Sequence, residues 1–357
     1  MPNRRVAKLR EAIAGTEGQA LLVTNPFNRR YLTGFTGSSG VALIAADQAA
    51  FLTDFRYTEQ AAEQARGFRI EKHGQDVNET VAKLLEEWNV RTLLFEERHV
   101  TYAAYKAMEK AFGSVRLLPA EDIVEQLRAF KDDAELSIIR DAAKLADRAF
   151  AHILGFIKPG VRERAVALEL EMFMRSQGAA GSSFDTIVAS GVRSALPHGV
   201  ASDKPIESGD FVTLDFGAYY NGYCSDLTRT VVVGKANEKQ KEIYGIVLEA
   251  QLHALERIRP GMTGKEADAL TRDIITRYGY GEYFGHGTGH GIGLEIHEAP
   301  RLSLAADRVL SPGMVVTVEP GIYLPGFGGV RIEDDVAIAD RGIDVLTGSP
   351  KQLIELD

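Results

Sequence analysis

The chain is poor in cysteine and in long apolar runs. Its 357 residues include a single cysteine, Cys224, so no disulfide can form within the chain. No apolar stretch is long enough to cross a bilayer, and we expect no membrane-spanning segment. The opening stretch MPNRRVAKLREAIAG is charged and lacks the apolar core of a secretory signal peptide. These absences predict a cytoplasmic location.

The chain also lacks an excess of positive charge. Its formal net charge is −9, whereas nucleic acid is usually bound by a basic surface, so we expect no nucleic-acid partner. The hydrophobic fraction of 45% and the charged fraction of 25% are typical of a soluble globular protein. A chain of this length is sufficient for two domains of ordinary size, each with its own core.

The first third of the sequence has the pattern of an α/β domain. Short apolar runs predict strands at 20–24, 40–45, 49–53 and 91–96. Between them, apolar residues recur three and four positions apart and predict helices at 58–65 and 79–88. A charged helical segment at 121–154, with a break at residues 131–133, follows this region. We assign residues 1–125 to an N-terminal domain, 126–136 to a linker and 137–357 to a second domain.

The second domain contains a hairpin whose geometry can be worked out from its turn. Asn221-Gly222 is the preferred pair for a two-residue type I′ turn. With this turn, Asp215 faces Thr228, and Asp215 and Asp226 become diagonal neighbours on one face, about 7–8 Å apart at Cα. The spacing allows two carboxylates to converge on metal ions, because the ions of a two-metal site lie about 3.5–4 Å apart.

Two further acids, Glu319 and Glu333, also stand in apolar strand contexts, at the end of MVVTV and after VRI. A buried carboxylate requires a partner or a metal ion. Any one of these acids could form an ordinary structural salt bridge. Four acids in strand contexts, together with nearby histidines, favour a metal site instead. Carboxylates combined with an imidazole suit manganese, cobalt, iron or zinc.

The histidines lie in the glycine-rich stretch GHGTGHGIG, residues 285–293, which is followed by IHE. This stretch contains His286 and His290, and His297 belongs to IHE. It has no strict GxGxxG pattern and no Walker lysine, so we do not expect it to bind phosphate. We expect the glycines to let the backbone pass close to a bound ligand, and the histidines to perform the chemistry.

These residues resemble the pita-bread metallopeptidases. Their metal ligands occur in the order Asp, Asp, His, Glu, Glu, which is matched here by Asp215, Asp226, His290, Glu319 and Glu333. The Xaa-Pro branch, comprising prolidase and aminopeptidase P, is the most similar through PHG (197–199), the HE of IHE and VRIEDD. The N-terminal third resembles the creatinase-type domain of this branch through NRRYLTGFTGSSG and TDFRY. The resemblance implies an α/β (α+β) fold in which a creatinase-type domain precedes a pita-bread domain.

The resemblance further implies two divalent metal ions, with manganese expected first and cobalt or zinc as alternatives. Asp215 and Asp226 would bind the first ion, with Asp226 reaching both, and Glu333 would bridge the pair. His290 and Glu319 would complete the second site. A hydroxide between the ions would attack the carbonyl carbon before proline. The N-terminal domain would help to form a homodimer.

The remaining roles implied by the resemblance concern five side chains around the metals. Glu319 would transfer the proton of the nucleophile. His297 would stabilise the oxyanion or donate a proton, and His198 would contact the substrate or support the leaving nitrogen. His286 would help to form the proline-side pocket. Arg331 would orient carboxylates or carboxyl groups with its planar guanidinium.

Several functions stay open at this point. Prolidase cleaves Xaa-Pro dipeptides and aminopeptidase P cleaves longer Xaa-Pro peptides; the sequence slightly favours prolidase. A methionine aminopeptidase would share the five ligands but not the N-terminal domain. A creatinase would lack the ligand set. A catalytically silent peptide-binding module is the alternative outside the enzymes, and the complete ligand set argues against it.

Overall fold

The computed structural model describes residues 2–357, with side chains from residue 4 onward. The chain separates into two compact units, of which one ends at Arg128 and the other comprises Ala129–Asp357. The division falls within the predicted linker 126–136, which also contains the end of one helix and the start of the next. Among the described residues, no helix is long and apolar enough to cross a membrane.

The described part of the first unit is a mixed six-stranded sheet with helices. The strands are β1 (Ala20–Val23), β2 (Val41–Ala45), β3 (Ala49–Thr53), β4 (Arg69–Lys72), β5 (Thr92–Phe95) and β6 (Arg116–Pro119). Their order is β4-β3-β2-β1-β5-β6, and β1 pairs antiparallel with β2 and parallel with β5. The helices are α1 (Pro2–Ala14), α2 (Pro26–Thr33), α3 (Thr58–Gln64), α4 (Val77–Glu87), α5 (Tyr102–Phe112) and α6 (Ile123–Arg128).

The predicted α/β character of this unit is confirmed. All four strands expected from the sequence are present, and the two expected helices correspond to α3 and α4. The core contains Leu22, Leu43, Leu52 and Leu93 from the sheet, packed with Leu84 of α4. Strands β4 and β6 were not predicted, because both are four-residue edge strands without a fully buried residue, and β4 is also largely charged.

The second unit combines four α-helices with several small sheets. Its helices are α7 (Asp133–Ile153), α8 (Glu163–Ser176), α9 (Glu238–Arg257) and α10 (Gly264–Arg277), with short 3-10 helices at Gly191–Ala195 and Gly281–Tyr283. Helix α7 begins after the predicted break, where Asp132 accepts hydrogen bonds from the backbone N–H groups of Ala134 and Glu135. This capping box satisfies backbone donors that the first helical turn leaves free.

The strands of the second unit are β7 (Gly181–Ser182), β8 (Ile187–Ser190), β9 (Phe211–Phe216), β10 (Ala218–Tyr220), β11 (Tyr223–Cys224), β12 (Leu227–Val233), β13 (Gly289–Gly291), β14 (Glu298–Leu302), β15 (Val315–Val318), β16 (Gly321–Leu324), β17 (Gly328–Arg331), β18 (Asp334–Ile338), β19 (Ile343–Val345) and β20 (Glu355–Leu356). They form sheets in the orders β20-β12-β9-β8, β14-β13-β15-β18-β19, β11-β10-β7 and β16-β17.

Helices cover these sheets with apolar faces. One core joins Phe150 of α7 and Leu170 of α8 to Leu214 and Val231 of strands β9 and β12. Other cores join α9 and α10 to β17 and to β15 and β18. The strands that carry or flank the predicted ligands are thereby buried, so the polar side chains there must find partners inside the protein.

Candidate metal centre

The hairpin predicted from Asn221-Gly222 is confirmed. Tyr220 pairs with Tyr223 across the turn, and both turn residues have the positive φ that type I′ requires, 48° for Asn221 and 87° for Gly222. The same register continues into β9 and β12, where Asp215 pairs with Thr228.

Gly217 lies inside this hairpin, between β9 and β10. A Cβ at this position would lie 1.7 Å from the backbone carbonyl oxygen of Ser225, so only glycine allows the two chains to approach this closely. No bulge shifts the pairing, and Asp215 and Asp226 line the same cavity, as the alternation of side chains predicts.

The five predicted ligands are brought together around one cavity. Asp226, His290 and Glu333 each offer one ligand atom, and these atoms lie within 4.8 Å of one another. Nε2 of His290 is 3.7 Å from Oδ2 of Asp226 and 3.5 Å from Oε1 of Glu319. Asp215 lines the same cavity and is ion-paired with Arg331. Glu333 lies between β17 and β18 rather than within a strand, which corrects the expected placement.

The carboxylates of this cluster repel one another. Burial, followed by the charges of Glu333 and Asp215, raises the pKa of Asp226 well above its usual range. Burial, followed by Glu319 and Asp215, does the same to the pKa of Glu333. Burial raises the pKa of Glu319 to about 7, against the opposing charge of Arg331. Arg331 and Arg301 oppose this repulsion at Glu319, but the four carboxylates still need additional positive charge to be held ionised together.

The donor atoms fit divalent metal ions. Among the described residues, Oδ1 of Asp226 and Oε1 of Glu333 are buried without a hydrogen-bond partner. His290 directs Nδ1 at the carbonyl oxygen of Gly291, 3.1 Å away, so Nδ1–H donates there and the lone pair of Nε2 faces the carboxylates. Burial lowers the pKa of His290 to about 3, which keeps this imidazole neutral, as a metal ligand must be. Carboxylate oxygens with one imidazole suit manganese, cobalt, iron or zinc.

The glycines of GHGTGHGIG serve close packing between strands. A Cβ on Gly289 would lie 1.9 Å from the carbonyl oxygen of Thr317, and one on Gly291 would lie 2.3 Å from that of Ala299. Gly287 and Gly289 also line the cavity. The expectation that these glycines bring the backbone to a ligand is therefore incomplete, because the tightest approach is to neighbouring backbone.

A part-buried ion pair on α10 holds the start of this stretch. Arg272 forms two hydrogen bonds with the carboxylate of Asp268, 2.6 and 3.0 Å long, and also donates to the carbonyl oxygens of Phe284 and His286. The same carboxylate accepts hydrogen bonds from the backbone N–H and the hydroxyl of Thr288, both 2.9 Å long. The backbone that leads into β13 and His290 is thus tied to a helix.

His286 belongs to a hydrogen-bonded chain along the cavity wall. Its Nδ1 donates to the carbonyl oxygen of Gly287 at 2.8 Å, so Nε2 accepts from the hydroxyl of Tyr323 at 2.7 Å. That hydroxyl in turn accepts from Nη1 of Arg331 at 2.8 Å, and Nη2 of Arg331 donates to Asp215. Burial lowers the pKa of His286 to about 4, so this chain contains a neutral imidazole.

His198 and His297 lie at the exposed side of the cavity. The ring of His297 stands nearly perpendicular to that of His290, with centroids 4.4 Å apart. Burial of part of the ring and the charge of Arg301 lower the pKa of His297. Both histidines therefore face the space next to the metal ligands.

Some polar neighbours of the ligands were not identified from the sequence. Thr228 donates to Oε2 of Glu333 at 2.5 Å, and Asp335 accepts from the backbone N–H of Asp226 at 2.9 Å. Tyr323 and the cavity residue Arg301 were also missed. Asp335 belongs to VRIEDD and Thr228 faces Asp215 in the predicted hairpin, so the sequence offered a signal for these two residues and none for Tyr323 and Arg301.

A mixed α/β unit followed by a unit with a buried carboxylate–imidazole centre defines the class of two-domain metallopeptidases. Residues 137–340 match the model of metallopeptidase family M24, and residues 5–130 match that of the creatinase/prolidase N-terminal domain. The chain belongs to metallopeptidase family M24. It is a metal-dependent hydrolase, as the resemblance implied, and the N-terminal domain is of the expected type.

Similar proteins span nearly the whole chain. A structure of an Xaa-Pro dipeptidase from Bacillus anthracis has a TM-score of 0.98 and 57% identity, with 100% of both chains covered. The Xaa-Pro dipeptidase of Pyrococcus horikoshii is 42% identical over 99% of this chain and 99% of its own. An X-Pro aminopeptidase structure from Thermotoga maritima has a TM-score of 0.91 and 41% identity, covering 97% of this chain and 99% of its own.

Proposed function

We propose that this metallopeptidase hydrolyses the Xaa-Pro bond of dipeptides and releases proline. The similar proteins include Xaa-Pro dipeptidases from Bacillus anthracis and Pyrococcus horikoshii. The observation that carries the proposal is a cavity of about 670 Å³ that holds the metal-ligand cluster and a cationic side chain, Arg301. A cavity of this size encloses a small ligand, and its few polar groups fix the ligand's orientation.

Two divalent ions would be held by Asp215, Asp226, His290, Glu319 and Glu333. When bound, such ions lower the pKa of water and polarise a carbonyl group. Manganese is our first choice, with cobalt or zinc as alternatives, because the donor set is rich in carboxylate oxygen. The buried oxygens without hydrogen-bond partners on Asp226 and Glu333 support this assignment.

Glu319 is the proposed proton acceptor. Its side chain is 16% exposed, lines the cavity and has Oε1 3.5 Å from Nε2 of His290, so its carboxylate is placed to accept a proton from a water molecule beside the metal ligands. Thr317 donates to Oε1 of Glu319 at 3.2 Å and holds that oxygen in place. His297 would stabilise the developing oxyanion or donate a proton, and His198 would support the leaving nitrogen, since both face the cavity.

Recognition of a dipeptide requires a cation near the free carboxylate of proline. Arg301 is exposed and lines the cavity, and its charge acts on His297 and Glu319. Arg331 is less suited to contact the substrate, because its guanidinium already donates to Asp215, Thr228 and Tyr323. We propose that Arg331 orients Asp215 and that His286 forms the proline-side wall.

Aminopeptidase P activity on longer peptides is the second candidate. It is favoured by the 41% identity to the Thermotoga maritima X-Pro aminopeptidase. A homodimer and a cytoplasmic location, both expected from the sequence, stay predictions.

The experiment compares Leu-Pro, Leu-Pro-amide and Leu-Pro-Ala as substrates of the manganese-loaded protein. We expect kcat/KM to be at least about tenfold higher for Leu-Pro, since one charge-assisted hydrogen bond contributes about 1.5–3 kcal/mol. Arg301→Gln should remove most of this preference. Arg308→Gln is the matched control, because Arg308 packs over Phe130 and does not line the cavity. Faster cleavage of Leu-Pro-Ala than of Leu-Pro would support aminopeptidase P and contradict the dipeptidase proposal.

A further inference from the structure

Lys131 and Glu298 form a buried ion pair beside the metal centre. Nζ of Lys131 is 3.0 Å from Oε2 of Glu298, and the two side chains are only 1% and 6% exposed. They are 167 residues apart in the chain. Lys131 lies at the break in the charged helical segment 121–154 and Glu298 belongs to IHE, yet neither residue has a role in the proposed reaction.

Glu298 closes the loop that separates His290 from His297. This loop, residues 292–297, joins β13 to β14, and the strand register is irregular between His290 and Gly291. The backbone N–H of Glu295 donates to Oε1 of Glu298 at 3.0 Å, so the carboxylate holds the loop with one oxygen and Lys131 with the other. The position of His297 relative to His290 therefore depends on where Glu298 is held.

Lys131 provides a fixed anchor for this carboxylate. Its backbone N–H donates to the carbonyl oxygen of Gly313 at 2.8 Å, and the next residue, Asp132, caps α7. Gly293 allows the loop to pass directly over the pair, because a Cβ there would lie 2.7 Å from Oε2 of Glu298 and 2.9 Å from Cε of Lys131. This close approach explains one glycine of GHGTGHGIG that neither the metal centre nor strand packing explains.

A buried ion pair adds little to folding stability, since well-packed apolar side chains of similar size stabilise the fold as much or more. A charged pair does, however, fix the direction and distance of its partners. We propose that Lys131 and Glu298 are positioning residues that set the place of His297 opposite His290 for peptide-bond hydrolysis. The inference rests on the proposed function of His297.

The test uses Lys131→Met, Glu298→Gln and the double variant K131M/E298Q in the manganese-loaded enzyme. The amide introduced by Glu298→Gln keeps an oxygen for the N–H of Glu295, so the double variant removes only the charged link. Lys131→Met removes the charged partner of Glu298, and Glu298→Gln removes that of Lys131, so we expect the Tm of each single variant to fall by about 10 °C. The double variant should recover most of the Tm, bind manganese as the wild type does, and keep its KM within about twofold. Its kcat should stay reduced by about tenfold to a hundredfold, because displacing His297 by about 1 Å from its working position lowers the rate by up to about that factor.

The matched control is K204M/D210N, which removes an ion pair 2.7 Å long that does not line the cavity; its kcat should be unchanged. Recovery of both Tm and kcat in K131M/E298Q would show a purely structural pair and overturn the inference. A crystal structure of the double variant gives a measurement that does not depend on catalytic activity. The inference requires the centroid distance between His290 and His297 to depart from 4.4 Å, and an unchanged distance would refute it. If the wild type cleaves no Xaa-Pro substrate, the proposed function fails, and the crystal structure still decides the positioning.

Discussion

Removal of the Thr228 hydroxyl tests how the protein holds Glu333. Thr228 is fully buried on β12, donates to Oε2 of Glu333 at 2.5 Å and accepts from Nε of Arg331 at 3.2 Å. Thr228→Val replaces the hydroxyl with a methyl group of similar size. It leaves the carboxylate of Glu333 with one hydrogen bond fewer and Nε of Arg331 without its acceptor.

The expected loss of metal affinity follows from the two groups that the Thr228 hydroxyl contacts, the carboxylate of Glu333 and the guanidinium of Arg331. A hydrogen bond to a charged group contributes about 1.5–3 kcal/mol, and a lost partner of a metal ligand typically lowers metal affinity about 10–100-fold. We therefore expect the manganese Kd of Thr228→Val to rise by this factor, with a comparable fall in kcat/KM at limiting metal. At saturating metal, part of the kcat/KM should return.

The assay is calorimetric titration of metal-depleted protein with Mn²⁺, followed by Xaa-Pro dipeptide hydrolysis at low and high metal. Thr228→Ser is the control, because it retains the hydroxyl and loses only a methyl group. Its metal affinity should stay within about threefold of the wild type. Binding of Mn²⁺ by Thr228→Val as tight as that by Thr228→Ser would refute this role of the Thr228 hydroxyl.

Further predictions concern other parts of the site. Tyr323→Phe removes the hydroxyl between His286 and Arg331 and should lower kcat/KM by about tenfold with unchanged metal content; loss of metal instead would contradict this. Mn²⁺ at about a hundred times its Kd should raise the Tm by roughly 5–10 °C, and EDTA should reverse the gain; a Tm independent of metal would argue against a buried site. This gain should be larger near pH 8 than near pH 5. The raised pKa values of Asp226 and Glu333 mean that the metal-free fold loses stability as pH rises above about 4, while metal binding then needs to displace fewer protons. Equal gains at both pH values would count against these ligands.

The parts of the site that depend on local geometry could be predicted from the sequence. A two-residue turn and the alternation of strand side chains were enough to place Asp215 and Asp226 on one face. The break at residues 131–133 was also predicted, and the structure begins α7 there with a capping box formed by Asp132 and Glu135. These features require only interactions between residues that are close in the sequence.

Contacts between distant parts of the chain could not be predicted. Neither the hydrogen bond of Thr228 to Glu333 nor the pairing of Lys131 with Glu298 follows from any spacing, since each joins elements whose packing only the fold determines. The close packing of the glycine-rich stretch was missed for the same reason, because the nearest neighbour of a Cβ at Gly289 is the backbone of Thr317.

The central claim is that the buried carboxylate–imidazole cluster holds divalent metal ions that enable Xaa-Pro hydrolysis. The most direct measurement combines metal analysis and Leu-Pro hydrolysis on the same protein, before and after EDTA and after Mn²⁺ is restored, with Asp226→Asn in parallel. We expect two ions per chain, loss of hydrolysis with EDTA, recovery with Mn²⁺, and no recovery in Asp226→Asn. Leu-Pro hydrolysis at an undiminished rate by metal-free protein would contradict the account.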